Sequence, residues 1–112
     1  MSRSRNWCFT LVNYTEEEVN HLKGELPQVR YIVFQREIGE NGTRHLQGYL
    51  EFEIPERMSF LKRINARAHW EPRLGSQREA INYCTRENTR EPGTEPFEQG
   101  NKANPTGIHK YK

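Results

Sequence analysis

Residues 44–52, Arg-His-Leu-Gln-Gly-Tyr-Leu-Glu-Phe, alternate without a break. Leu46, Leu50 and Phe52, with Gly48 among them, fall on one side; His45, Gln47, Tyr49 and Glu51 fall on the other. A period of two is that of a β-strand. One face of this strand must therefore lie on a core while the other carries polar groups. That polar face sets an imidazole beside an amide oxygen two residues away, as a shared metal site requires.

The flanking chain supplies partners for such a strand. Residues 6–12 read as a strand with Trp7, Phe9 and Leu11 on one face. Thr15 with Glu18 forms a capping box that opens a short helix, with Val19, Leu22 and Leu26 inward and a stop near Pro27. Residues 30–38 form a second strand: Ile32, Phe34 and Ile38 share one face, and Tyr31, Val33, Gln35 and Glu37 the other. Pro55-Glu56 begins a helix with Met58, Phe60, Leu61 and Ile64 buried. A short strand covers residues 68–71, ended by Pro72. Ser76 with Glu79 is a second capping box, opening a helix expected to run to about Asn88. Residues 1–90 thus form one α+β domain, with helices on one face of an antiparallel sheet and the other face available. Residues 91–112, rich in Pro, Gly, Asn and Thr, read as a flexible tail or linker in which Phe97 has the means to dock.

The turn between the second strand and the 44–52 strand carries a condition. Glu37 shares a face with His45 and Gln47 only if the loop has an odd length, such as a three-residue turn ending in a left-handed Gly42. A two-residue Asn41-Gly42 turn would pair Ile38 with His45 and turn Glu37 away. With the odd loop, Glu37, His45 and Gln47 make a mixed carboxylate, imidazole and amide set. Such donors suit Mg²⁺ or Mn²⁺ rather than structural zinc, which takes four ligands and favours thiolates. The plainer reading is three polar side chains on a half-solvated sheet.

The last helix holds a candidate nucleophile. Winding it at about 100° per residue gathers Ala80, Ile81 and Cys84 as the buried stripe and sets Tyr83 beside it, near Glu79, Arg86 and Glu87. Tyr83 is either a boundary tyrosine with a wet hydroxyl or a nucleophile whose negative charge Arg86 would steady. Cys84, the rival nucleophile, points into the core. His69 lies on a short strand as a possible further ligand, a nucleic-acid contact or a surface histidine.

Net charge is only +2, but its distribution is uneven. Residues 16–56 hold nine acidic and four basic residues, whereas residues 57–90 hold eight basic and three acidic. A basic second half suits phosphate contacts, with Arg63, Arg67, Arg73 and Arg78 as candidates. Tyr49 is a candidate to stack on a base; Trp7, Tyr31 and Trp70 are others, of which at least half should be core. The two cysteines have no CxxC spacing, which favours a reducing compartment. No apolar run approaches the ~18 residues of a membrane span.

Three short segments together resemble the replication-initiator (Rep) endonucleases of circular single-stranded DNA viruses, the HUH family of circovirus, nanovirus and geminivirus type. Phe9-Thr10-Leu11 with Asn13 is similar to the first family motif. His45-Leu46-Gln47-Gly48-Tyr49 is similar to the second, in the form where Gln replaces the second His. Tyr83-Cys84-Thr85-Arg86 is similar to the tyrosine motif. Two positions depart: Val12 stands where many members have Asn, and Arg86 where the family usually has Lys. Arg keeps the charge but cannot accept a proton.

The resemblance implies an RRM-like sheet and a divalent ion held by Glu37, His45 and Gln47. It implies nicking and joining of single-stranded DNA in an origin hairpin loop, with Tyr83 as nucleophile and Arg86 stabilising charge. It further implies a helicase domain after residue 112, any oligomer forming only with that domain, host replication proteins as partners, and the host nucleus as location. The alternative is a non-catalytic RRM-like single-strand binder using exposed aromatics; a metal-dependent nuclease using water is a third reading.

Overall fold

A computed structural model describes residues 2–104. The leading elements are β1 (Ser4–Val12), α1 (Glu16–Lys23), β2 (Val29–Ile38), β3 (Arg44–Glu56), α2 (Met58–Ile64) and β4 (His69–Pro72). They are followed by α3 (Gln77–Cys84) and β5 (Phe97–Gly100). The strands form one antiparallel sheet in the order β4-β1-β3-β2-β5. The first six elements thus follow the β-α-β-β-α-β path of an RRM-like α+β fold. No helix among the described residues is long and apolar enough to cross a membrane.

The alternating strand lies at the centre, paired with β1 on one side and β2 on the other. Its apolar face builds the main core: Leu46, Leu50 and Phe52 meet Trp7, Phe9 and Leu11 of β1, Ile32 and Phe34 of β2, and Trp70 of β4. Val19 and Leu22 of α1 and Leu61 and Ile64 of α2 close over that face. Gly48 sits where a side chain would not fit. An added Cβ would strike the Phe9 ring and come within 2.9 Å of Phe34 Cβ.

Both capping boxes form. Thr15 Oγ1 accepts from the Glu18 amide and Ser76 Oγ from the Glu79 amide, with each glutamate accepting the cap's own N–H in return.

Four expectations need correction. The third helix does not join the other two; α3 packs on the opposite, polar face, where Ala80 and Cys84 meet Tyr31, Val33 and Tyr49 in a second core. Small side chains on the helix stripe let it settle onto two large rings, so that face is only partly open. Helix α3 also stops at Cys84 rather than near Asn88. Residues 85–91 bond to the β2 edge instead, through Ile38 N–H to Thr89 O and Glu91 N–H to Arg36 O. Residues 55–56 continue β3, with Ser4 opposite Glu56, so α2 begins later, at Met58. The segment expected to be a linker carries β5, whose Phe97 pairs with Phe34 and stacks at 5.3 Å between ring centroids. The remainder of the expected tail, residues 105–112, lies outside the described residues.

Among the proposed nucleic-acid contacts, the four aromatics are buried and the half-exposed Arg67 is bonded within the domain. Tyr49 is wholly buried, its hydroxyl donating to Glu51 at 2.6 Å and accepting from Arg73 at 2.7 Å, and so has no face to offer a base. Trp7, Tyr31 and Trp70 are buried as well. Arg67 clasps α1, donating to both Glu18 oxygens (2.8 and 3.0 Å) and to the Val12 and Asn13 carbonyls.

Two consequences can be measured. Gly48→Ala should lower unfolding stability by about 1–3 kcal/mol through overpacking, read as a shift in the urea midpoint without a change in slope. Arg67's hydrogen bonds are the main cause holding the Glu18 carboxyl down at about 2, from an ordinary 4.5. A depressed carboxyl contributes stability above its unfolded value and loses it as pH falls through the folded one. Arg67→Ala should therefore melt below wild type at pH 7, with the gap closing between pH 4.5 and about 2.

Candidate active site

The β2–β3 hairpin meets the odd-loop condition. Gly39 N–H donates to Thr43 O, so the loop is Glu40-Asn41-Gly42, and Gly42 takes φ +82°. The register that follows places Glu37 opposite His45 and Gln35 opposite Gln47. All four side chains share the polar face of the sheet.

Glu37 is fully buried and lies at the hub. Its Oε1 is 3.0 Å from His45 Nε2 and accepts from Arg86 Nη2 at 3.4 Å; its Oε2 accepts from Gln35 Nε2 at 2.8 Å. Burial works against the charge on this carboxylate. The bonds from Gln35, Arg86 and His45, with the guanidinium's charge, outweigh it and hold the carboxyl below its usual range.

Gln47 is anchored by its amide nitrogen, which donates to Phe9 O at 3.0 Å, and its oxygen accepts from Thr10 Oγ1 at 3.2 Å. An amide oxygen has two lone pairs, so a second interaction remains open to it. Carboxylate, imidazole and amide oxygen form a donor set suited to a hard divalent ion completed by water. The 3.0 Å between Glu37 Oε1 and His45 Nε2 matches the separation of about 3 Å between adjacent ligands of an octahedral ion bound at about 2.1 Å. No group of three His, Cys, Asp or Glu side chains gathers among the described residues. Any ion held beside Glu37 and His45 would therefore draw on Gln47 as its third protein donor.

Tyr83 stands next to this cluster, although it comes from a different element. It is half exposed on α3. The Arg86 guanidinium lies 3.9 Å from the centre of its ring, close enough for a strong cation–π contact. Tyr83, Arg86 and Glu37 thus touch in series. Tyr83 and Gln47 also line one cleft of ≈ 450 Å³, together with Thr10, Glu71 and the exposed Leu74. Cys84 is buried, and burial pushes its thiol above the ordinary cysteine range. A thiolate there is disfavoured, whereas the Tyr83 side chain is open to solvent.

The other sequence candidates lie elsewhere. His69 pairs with Thr10, which pairs with Gln47. Two strand spacings separate it from Gln47, roughly 10 Å between backbones, and its Nε2 lies 3.4 Å from Glu71. Arg73 is held by Tyr49 and by Gly75 O. With Arg78 and Lys102 it lines a second cleft on the other side of α3. Arg63 lies on α2, across the sheet, over the Phe60 ring. Gln35 and Thr10 were not singled out from the sequence as site residues, although Gln35 shares the strand face of Glu37 at a spacing of two, which was the available signal.

Comparison with known proteins identifies the family of the chain. Residues 4–87 match the Viral_Rep model of viral replication proteins. The chain is 45% identical over 86 residues to the replication-associated protein of canary circovirus, covering 76% of this chain and 30% of that protein. It is 42% identical over 87 residues to the replication-associated protein of beak and feather disease virus, covering 77% of this chain and 30% of that one. It is 40% identical over 94 residues to the master replication protein of banana bunchy top virus, covering 84% of this chain and 30% of the relative. The chain therefore spans about a third of the length of these relatives. The family-model match covers most of the chain, and the three segments that resemble Rep proteins all lie inside it. The chain belongs to the Viral_Rep family of viral replication proteins, as a Rep domain of the circular single-stranded DNA virus type.

Proposed function

We propose that this domain nicks and rejoins single-stranded DNA at a viral replication origin through a 5′-phosphotyrosine intermediate. The observation that carries this reading is the series Tyr83–Arg86–Glu37, with Gln47 on the same cleft as Tyr83. A nucleophile, a fixed positive charge and a set of hard-ion donors converge there from α3, the loop after it, β2 and β3.

The Tyr83 phenol attacks the scissile phosphorus, and its proton passes to solvent. The phosphorus–O3′ bond breaks, the 3′ oxygen takes a proton from solvent and leaves as a hydroxyl, and the 5′ phosphate stays on Tyr83. Arg86, planar and permanently charged, pairs with the phosphate oxygens as negative charge builds on them. Glu37, His45 and Gln47 would hold Mg²⁺ or Mn²⁺, which supplies Lewis-acid polarisation of the phosphate. Because one phosphodiester is exchanged for another of similar energy, a returning 3′-hydroxyl reverses the step and joins ends without ATP. The substrate is the single-stranded loop of an origin hairpin, and the setting is rolling-circle replication in the host nucleus with host replication proteins as partners. In the full-length protein a helicase domain would follow, with any oligomer depending on it.

Burial of Trp7, Tyr31, Tyr49 and Trp70 weighs against the binder alternative, which needs exposed aromatic platforms.

The test is a denaturing gel of the protein with labelled origin-loop oligonucleotides and Mn²⁺. Wild type should give a shifted covalent band that disappears with EDTA. Tyr83→Phe should lose the band entirely while melting within about 0.5 kcal/mol of wild type, as an exposed hydroxyl deletion should. Cleavage that persists in Tyr83→Phe without a protein–DNA band would identify water as the nucleophile and sink this reading.

A further inference from the structure

Gln35 is buried to 1% exposure on the face that carries the site. Every polar atom of its amide is engaged. The nitrogen donates to Glu37 Oε2 at 2.8 Å and to the Arg86 carbonyl at 2.8 Å, and the oxygen accepts from Arg90 Nε at 2.9 Å. A guanidinium only donates and a carbonyl only accepts, so the amide has one possible orientation.

These bonds add buried side-chain links between β2 and the segment that follows α3. Glu37 belongs to β2, whereas Arg86 and Arg90 belong to the segment that leaves α3. Arg90 Nη2 also donates to Thr85 O at 3.0 Å, holding the end of the helix that carries Tyr83. The same segment is bound along the β2 edge by the Thr89 and Glu91 backbone bonds. A peptide carbonyl on Gln35 thus fixes where the Arg86 side chain departs, and the same amide fixes the carboxylate that side chain meets.

We infer that Gln35, clamped by Arg90, is a positioning residue that sets the Glu37 carboxylate for metal binding and registers the Arg86 loop against it. The inference rests on the metal reading of the site given above. Apolar Leu in place of Gln35 would fill similar volume but release Glu37 to rotate and leave the Arg86 carbonyl unheld. Partners of this kind, hydrogen-bonded to a ligating carboxylate, typically change metal affinity by about 10–100-fold when removed.

The experiment is Mn²⁺ titration, followed by the electron paramagnetic resonance of free Mn²⁺, on wild type, Glu37→Gln, Gln35→Leu and Arg90→Met. Each protein's fold is checked by circular dichroism. Affinity for an uncleaved origin-loop oligonucleotide is measured without metal. Gln35→Leu should weaken Mn²⁺ binding by tenfold or more and metal-free DNA affinity by less, through the Arg86 loop, and Arg90→Met should weaken Mn²⁺ binding in the same direction. A merely structural role would leave the Mn²⁺ affinity of the folded variant unmoved, and that result overturns the inference while leaving the metal site intact. If Gln35→Leu does not fold, Arg90→Met decides by the same comparison. If wild type binds no Mn²⁺, or Glu37→Gln binds it equally well, the metal reading fails and the inference falls with it.

Discussion

The register of the β2–β3 hairpin is the constraint on which the rest of the molecule depends. Side chains alternate with a period of two, so a shift by one residue would move every apolar group of β3 from core to solvent. Gly42, at positive φ, allows the three-residue loop that selects one register. With that choice Leu46, Leu50 and Phe52 meet α1 and α2, and at the same stroke Glu37 is placed against His45. Core and site are two faces of one alignment. Neither is set without the other.

The polar face is then divided between packing and chemistry. Toward one end, α3 lowers Ala80 and Cys84 onto Tyr31, Val33 and Tyr49. Beneath its N-terminal turn, the buried Glu51 accepts from Tyr49, Gln77 and the Ala103 amide, so the chain beyond β5 is bound into the same cluster. Toward the other end, the helix stops, and the sheet presents Glu37, His45, Gln47 and Thr10. The early stop has a chemical consequence. A helix continued to Asn88 would carry Arg86 along the helical track away from the sheet, whereas the observed segment turns back along β2 and brings the guanidinium between Tyr83 and Glu37.

Glu37 is a costly group to bury and is heavily supported. A buried carboxylate without partners would be protonated. Three donors converge on this one, from a guanidinium, an amide and an imidazole. Such a group is held charged and in a fixed orientation, as a ligand for a hard cation needs to be.

Much of this was readable from local pattern. The alternation in residues 44–52, the two capping boxes and the parity argument for Gly42 are properties of neighbours a few positions apart, and each appears in the structure as the sequence implies. The grouping of Glu37 with His45 and Gln47 was conditional on an odd-length loop, which the structure supplies, and the family resemblance rested on three short motifs. What parity could not supply was the contact across the chain. That Tyr49 lies beneath α3, that Arg67 is spent on Glu18 and that residues 97–100 add a strand all depend on pairs 30 to 70 positions apart. The position of α3 on the polar face is of the same kind, because an apolar stripe says that a helix will be buried but not against which surface. The sequence by itself determined which side chains share a face. Only the tertiary structure decided which of those faces are covered, since burial depends on distant segments that no local period encodes.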